Sequence, residues 1–266
     1  MINLDLCKKC KKRGFDPHKG IICSLTNERP AYEGDVCPDF DNDEKAKPNR
    51  IFSQKLRPNS DRSTTAVVLI WAVLFMEGVT LLSSIMQYNL LKTIQSGGEY
   101  SANALTTNDM REGLVAILYL LVYIISGITF IRWFRRAYFN LHLRTSPLTY
   151  DEGWAAGSWF VPIINLYRPF QIMQELYEET KKILRNGTEA PGCNLETSSL
   201  GIWWALWLIN GVLGNIVFRV FKDADTVDQL LTSTVLEMIT SIIGIPLALL
   251  TIKVIRDYAK AEKQLK

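Results

Sequence analysis

Histidine is nearly absent: His18 and His142 are the only two in 266 residues. His142 has no cysteine, aspartate or second histidine beside it, so a metal role there is weak. No Ser/His dyad, paired aspartates, His-Glu-x-x-His or nucleotide-binding loop is present. These absences argue against an enzyme. The amino terminus also lacks the apolar core of a secretory signal: "MINLDLCKKCKKRGF" carries charges where that core belongs. The start of the chain is therefore expected to remain in the cytoplasm.

Long apolar runs are missing from residues 1–64 and abundant afterwards. Four stand out, at 66–91, 114–134, 200–220 and 235–255. Each has roughly the 20 residues a helix needs to cross about 30 Å of hydrocarbon. A helix satisfies its own backbone hydrogen bonds there. The runs have too few polar residues to form the outer face of soluble helices. The expected fold class is all-α: a four-helix polytopic membrane domain over 65–260, with a small cysteine-rich head at 1–44 and a polar linker at 45–64. The linker reading rests on "DNDEKAKPNRIFSQKLRPNSDRST".

Lysine and arginine counts orient the spans. Residues 1–64, 132–199 and 253–266 together carry 26, whereas the alternate loops 92–112 and 219–233 carry 4. That imbalance places both termini in the cytoplasm of a bacterial inner membrane. It also decides the reading of "GWAAGSWFVPIINLYRPFQ", residues 153–171. As a fifth span this run would carry Lys181, Lys182, Arg185 and the basic tail outside. Pro162 and Pro169 each remove an amide donor as well. The run is expected to be a broken, re-entrant or interfacial segment on the cytoplasmic side over 153–170. Thr149 and Glu152 have capping-box spacing ahead of it. An amphipathic helix is expected over 170–186. Pro169 suits its first turn, Gly187 its C-terminal cap, and Ile172, Leu176, Ile183 and Leu184 the side facing membrane or core. Trp133, Tyr138, Trp154 and Trp159 are expected near the cytoplasmic interface.

Few charges fall inside the spans. Glu77 does, and an intramembrane carboxylate costs a few kcal/mol unless paired or hydrated. In a functional reading it carries a proton or pairs with an inward-facing basic group; in a structural reading, the favoured one, it is simply protonated or hydrogen-bonded to a neighbouring helix. Glu237 reads as a boundary residue. Asn210 and Asn215, beside Gly211 and Gly214, predict close helix packing. Pro246, after Gly244, predicts a kink. Arg132, Arg135 and Arg136 lie at helical spacing just past the second span. They serve topological anchoring or hold anionic lipid head groups at the cytoplasmic face.

Four of the five cysteines, Cys7, Cys10, Cys23 and Cys37, fall in the head with spacing C-x2-C-x12-C-x13-C. Such a cluster in a reducing compartment predicts a metal site, zinc first, and four thiolates close a structural tetrahedron. So small a head would need the ion in order to fold. His18 as a substitute ligand and a redox-sensing thiol cluster are the alternative readings. Nucleic-acid binding is not expected, because residues 1–44 hold 7 basic against 9 acidic side chains. Cys193 reads as a free cytoplasmic thiol.

"RWFRRAYFNLH" followed by "LTYDEGWAAGSWFVPIINLYRPFQIMQELY" resembles the bacterial membrane proteins grouped as domain of unknown function 4328, over roughly residues 65–260. Trp133, Arg136, Asn140, Gly153, Trp154, Gly157, Trp159, Pro162, Asn165, Arg168 and Pro169 match its motif positions. The resemblance implies a multi-pass membrane domain and supplies no activity. The two blocks are expected to pack together, with Arg135, Arg136 or Arg168 satisfying carbonyls freed by the prolines. The head is similar to short cysteine segments preceding membrane domains in Bacteroidota-type proteins, on "FDPHKGIICSLTNERP" and "CPDF". The expected function is a non-enzymatic adaptor, assembly factor or sensor that meets a cytoplasmic protein partner through its head. The alternative is a small-solute or ion transporter or channel, oligomeric given only four spans, built on the broken segment and Glu77.

Overall fold

A computed structural model describes residues 7, 10–16, 20–31, 37–41, 55–145, 148–186 and 195–265. The chain divides into two compact units, residues 1–54 and 55–266. His18, Gly187 and Cys193 lie outside the described residues, as does the first half of the expected linker, 45–54.

The first unit departs from the all-α expectation. Strands β1 (Arg13–Asp16) and β2 (Gly20–Cys23) form an antiparallel hairpin with Arg13 opposite Cys23 and Gly14 opposite Ile22. The hairpin is too short for hydrophobic periodicity to reveal it. Lys11 donates its backbone amide to Asp41 O at 2.8 Å, tying the end of the cysteine segment to the first turn. The Lys11–Asp41 side-chain pair is exposed and adds little.

The second unit contains α1 (Ser60–Gln95), α2 (Ala102–His142), α3 (Trp154–Gly157), a 3₁₀ turn (Ile164–Leu166), α4 (Arg168–Asn186), α5 (Ser198–Lys222) and α6 (Val227–Glu262). Helices α1, α2, α5 and α6 are long and apolar enough to cross a membrane. They contain the four expected spans and extend past them. At 36 residues, α1 and α6 each reach roughly 54 Å at 1.5 Å per residue, well beyond the hydrocarbon. Helix α1 begins inside the segment expected to be linker. The reason is local anchoring: Asn140 Oδ1 accepts from the Arg57 amide at 3.1 Å and Asn140 Nδ2 donates to Arg57 O at 2.9 Å.

Helix α1 packs on both α2 and α6, and α6 packs on α5. Short connections at 96–101 and 223–226 make each sequential pair antiparallel. The start of α1, the end of α2, the start of α5 and the end of α6 therefore share one end of the bundle. Most large core side chains collect there, among them Trp133, Phe134, Tyr138, Ile172, Tyr177, Trp203 and Tyr258. Along the spans, large apolar residues such as Phe75, Leu82, Leu114, Ile117 and Phe218 face outward. A continuous apolar exterior of this kind suits lipid rather than water. Trp133 and Tyr138 are fully buried in protein, so they serve as core and not as interfacial anchors.

Helix α6 opens with a capping box that sequence reading overlooks. Thr226 Oγ1 accepts from the Gln229 amide at 3.3 Å, and Gln229 Oε1 accepts from the Thr226 amide at 3.2 Å. Replacing Thr226 by alanine should cost about 1 kcal/mol. The check is thermal unfolding of the detergent-solubilised protein, with Thr226→Ser as the variant that keeps the cap. Pro246 lies within α6, and the helix runs unbroken through it.

Candidate functional site in the membrane unit

The four long helices line a half-open cavity of about 260 Å³. Glu77 of α1, Tyr123 and Phe130 of α2, Trp203, Trp207 and Asn210 of α5, and Gly244 of α6 contribute to its wall. Trp159, from the segment between α3 and the 3₁₀ turn, closes one side. Its ring meets Phe130 at 5.6 Å and Trp207 at 5.5 Å between centroids, both at steep angles. Edge-to-face contacts of this kind add to the area these rings bury.

Glu77 is 4% exposed. Tyr119 Oη donates to its Oε1 at 2.7 Å, and Ser241 also hydrogen-bonds it. Hydrogen bonding to neighbouring helices is one of the two forms of the structural reading favoured from the sequence. The carboxyl group sits directly over Gly244: a Cβ there would meet Glu77 Oε1 and lie 2.6 Å from Cδ. Close helix approach is therefore at Gly244. An added Cβ at Gly211 or Gly214 meets nothing within 4 Å, which corrects the packing expected beside Asn210 and Asn215. Asn215 instead donates to Gly211 O of its own helix at 2.8 Å. Asn210 Oδ1 and Trp159 Nε1 are buried without a hydrogen-bond partner.

The segment after residue 152 is broken, as expected, and does not cross the bundle. The four residues of α3 lead through turns to the 3₁₀ turn and then α4. The Thr149–Glu152 capping box does not form. The Thr149 amide donates to Glu175 Oε1 at 2.7 Å, and Glu152 pairs with Arg135 at 3.5 Å. These tertiary partners displace a local motif. Pro162 is exposed and Asn165 half-buried, its amide donating to Val161 O at 3.0 Å. Ile163 has φ of 68°, uncommon for a β-branched residue and a local strain. Phe160 and Ile163 are each 74% exposed, an apolar tip.

The carbonyl relief expected from Arg135, Arg136 or Arg168 takes another form. Trp204 Nε1 donates to Leu166 O at 3.0 Å. Arg168 lies over the Tyr150 ring at 4.4 Å and near Trp154 at 5.9 Å. Tyr138 Oη donates to Glu175 Oε2 at 2.6 Å, fixing α4 against α2. Helix α4 buries Ile172, Met173, Leu176, Tyr177 and Thr180, so its apolar face is core-facing.

At the arginine-bearing end, Arg132 and Arg135 are exposed and Arg136 half-buried. Arg136 feels the like charges of Arg57, Arg62 and Arg135, and Arg62 donates to Arg132 O at 3.1 Å. Beside them Asn140, 1% exposed, donates to Glu262 Oε1 at 2.6 Å. Asn59 Nδ2 donates to both Glu262 oxygens, at 3.2 and 2.9 Å. At the opposite end Arg111 binds Ser83, Asn108 and Glu112. Neither network was expected. The only sequence signal was polar residues at span edges.

In the other unit, Cys7, Cys10, Cys23 and Cys37 line one cavity of about 110 Å³, and none of them is in a disulfide. Each cysteine carbonyl accepts from the amide three residues on, at 3.1 to 3.3 Å, so each opens a turn. Four sulfur donors suit zinc. Their placement is looser than coordination: among the described residues no three His, Cys, Asp or Glu are disposed to hold a metal ion.

A family model described as "Domain of unknown function (DUF4328)" matches residues 96–260. Neither the curated proteins nor the solved structures contain a match to the chain. The matched range takes in the arginine block, the broken segment and helices α2 to α6, and leaves out α1 and the cysteine unit.

Proposed function

We propose, for a chain that belongs to the family of domain of unknown function 4328, a non-enzymatic adaptor, assembly factor or sensor of the bacterial inner membrane. Four apolar helices make it a membrane protein. The finer reading rests on one observation above all: four cysteines gathered around a single cavity in a unit of their own. In this reading the cysteines hold a structural zinc ion, and the head so folded meets a cytoplasmic partner. The positive-inside rule puts both termini in the cytoplasm. Arg57, Arg62, Arg135 and Arg136 then face anionic head groups, and the apolar tip at Phe160 and Ile163 enters the lipid.

The test is metal content of the full-length protein purified anaerobically, with partner capture from native membranes. One zinc per chain is expected, lost together with the captured partner in Cys7→Ser. A metal-free wild-type protein whose thiols cycle to a disulfide would replace zinc by redox sensing. Identical partners from Cys7→Ser would remove the head from recognition. Transport is the second reading, favoured by Glu77 at an intrabundle cavity. Solute or ion flux in proteoliposomes would establish it.

A further inference from the structure

We propose that the intrabundle cavity is a binding site for a small quaternary or tertiary ammonium compound. Three features of the cavity point there. Among the described residues its only charged lining residue is Glu77, and no lysine, arginine or histidine shares the wall. Five aromatic side chains, Tyr123, Phe130, Trp159, Trp203 and Trp207, share its lining with aliphatic ones. Ring faces carry negative quadrupole charge and attract a cation within about 6 Å, most strongly when the site is desolvated. The Phe130 and Trp207 rings stand at 87° and 80° to Trp159, so the rings around the cavity are not parallel.

The hydrogen-bond inventory agrees. Tyr119 and Ser241 hold the Glu77 carboxyl group but supply no positive charge. An intramembrane carboxylate is costly without a counter-charge, and a bound cation supplies one. The volume, about 260 Å³, lies just below the usual range for drug-sized ligands, so the compound is small. All of the residues lining the site belong to the membrane unit, so the proposal does not rest on the zinc reading of the cysteine unit.

Choline and its neutral isostere 3,3-dimethylbutan-1-ol decide the matter, titrated against the full-length protein in maltoside micelles. The readout is tryptophan fluorescence, corrected with protein-free micelles. Choline should bind saturably, at least tenfold more tightly than the isostere. Glu77→Gln keeps an acceptor for Tyr119 and should weaken choline at least tenfold while leaving the isostere unchanged. Cys7→Ser should bind choline as wild type does. Equal affinity of wild type for the two compounds would overturn the proposal, and so would the absence of saturable choline binding. The wild-type pair is decisive even if Glu77→Gln fails to fold.

Discussion

Asn140→Ala should destabilise the membrane unit by about 3 kcal/mol, because it removes three hydrogen bonds at once, one of them to a buried carboxylate. Asn140 is 1% exposed and makes three hydrogen bonds. Two hold the backbone of Arg57 just before α1, and the third, at 2.6 Å, holds Glu262 near the end of α6. Alanine leaves the Arg57 amide and carbonyl unpaired and leaves Glu262 to Asn59 alone. Asn140→Asp should be worse, since it removes the donor and sets a second carboxylate against the first. Adding Glu262→Gln to Asn140→Asp restores a donor–acceptor pair with its direction reversed. That double variant should recover at least 1 kcal/mol relative to additivity, as expected of residues in direct contact. Thermal unfolding of the solubilised protein followed by circular dichroism gives the comparison. Strict additivity would mean that Asn140 acts through Arg57 and not through Glu262.

The same cluster shows what a linear sequence discloses. Asn140 stood out as a motif residue, but its partner Glu262 lies 122 positions away and carries no local signal. The spans were legible because length and apolarity are properties of contiguous residues. Their common end was legible because lysine and arginine report it. Helix starts were less so. Thr149–Glu152 has the right spacing for a capping box and does not form one, because Glu175 and Arg135 compete for its groups. Thr226–Gln229 forms one, since no tertiary partner intervenes. The cavity was invisible for a similar reason. Glu77, Trp159 and Asn210 were each noticed singly, and only the packing of α1, α5 and the broken segment brings them to one wall. Trp203, Trp204 and Trp207, one face of α5, were the available clue to that wall. The cysteine spacing suggested a metal site; the four cysteines line one cavity, and the hairpin that carries Cys23 had no sequence signal.

Gly244→Ala should cost about 2 kcal/mol, the sign opposite to that for the other glycines of the bundle. In an ordinary helix interior alanine is favoured over glycine by about 1 kcal/mol. Gly211→Ala and Gly214→Ala should show that ordinary behaviour, neutral to stabilising, because an added Cβ meets nothing within 4 Å at either site. At Gly244 the added carbon falls on the Glu77 carboxyl group, 2.6 Å from Cδ and 3.0 Å from Oε2. In water such a side-chain end would swing aside at little cost. Here it is 4% exposed and bonded to Tyr119, so displacement breaks the 2.7 Å hydrogen bond and leaves the tyrosine hydroxyl without its acceptor. Glu77→Ala removes the obstacle, so Gly244→Ala made in that background should become neutral or stabilising. Unfolding midpoints of the four single variants and the double separate two sources of packing. If the Gly244 penalty persisted without Glu77, backbone approach between α1 and α6 would be responsible. If it vanished, the glycine exists to seat a carboxylate, and the two helices are matched to the acid they enclose.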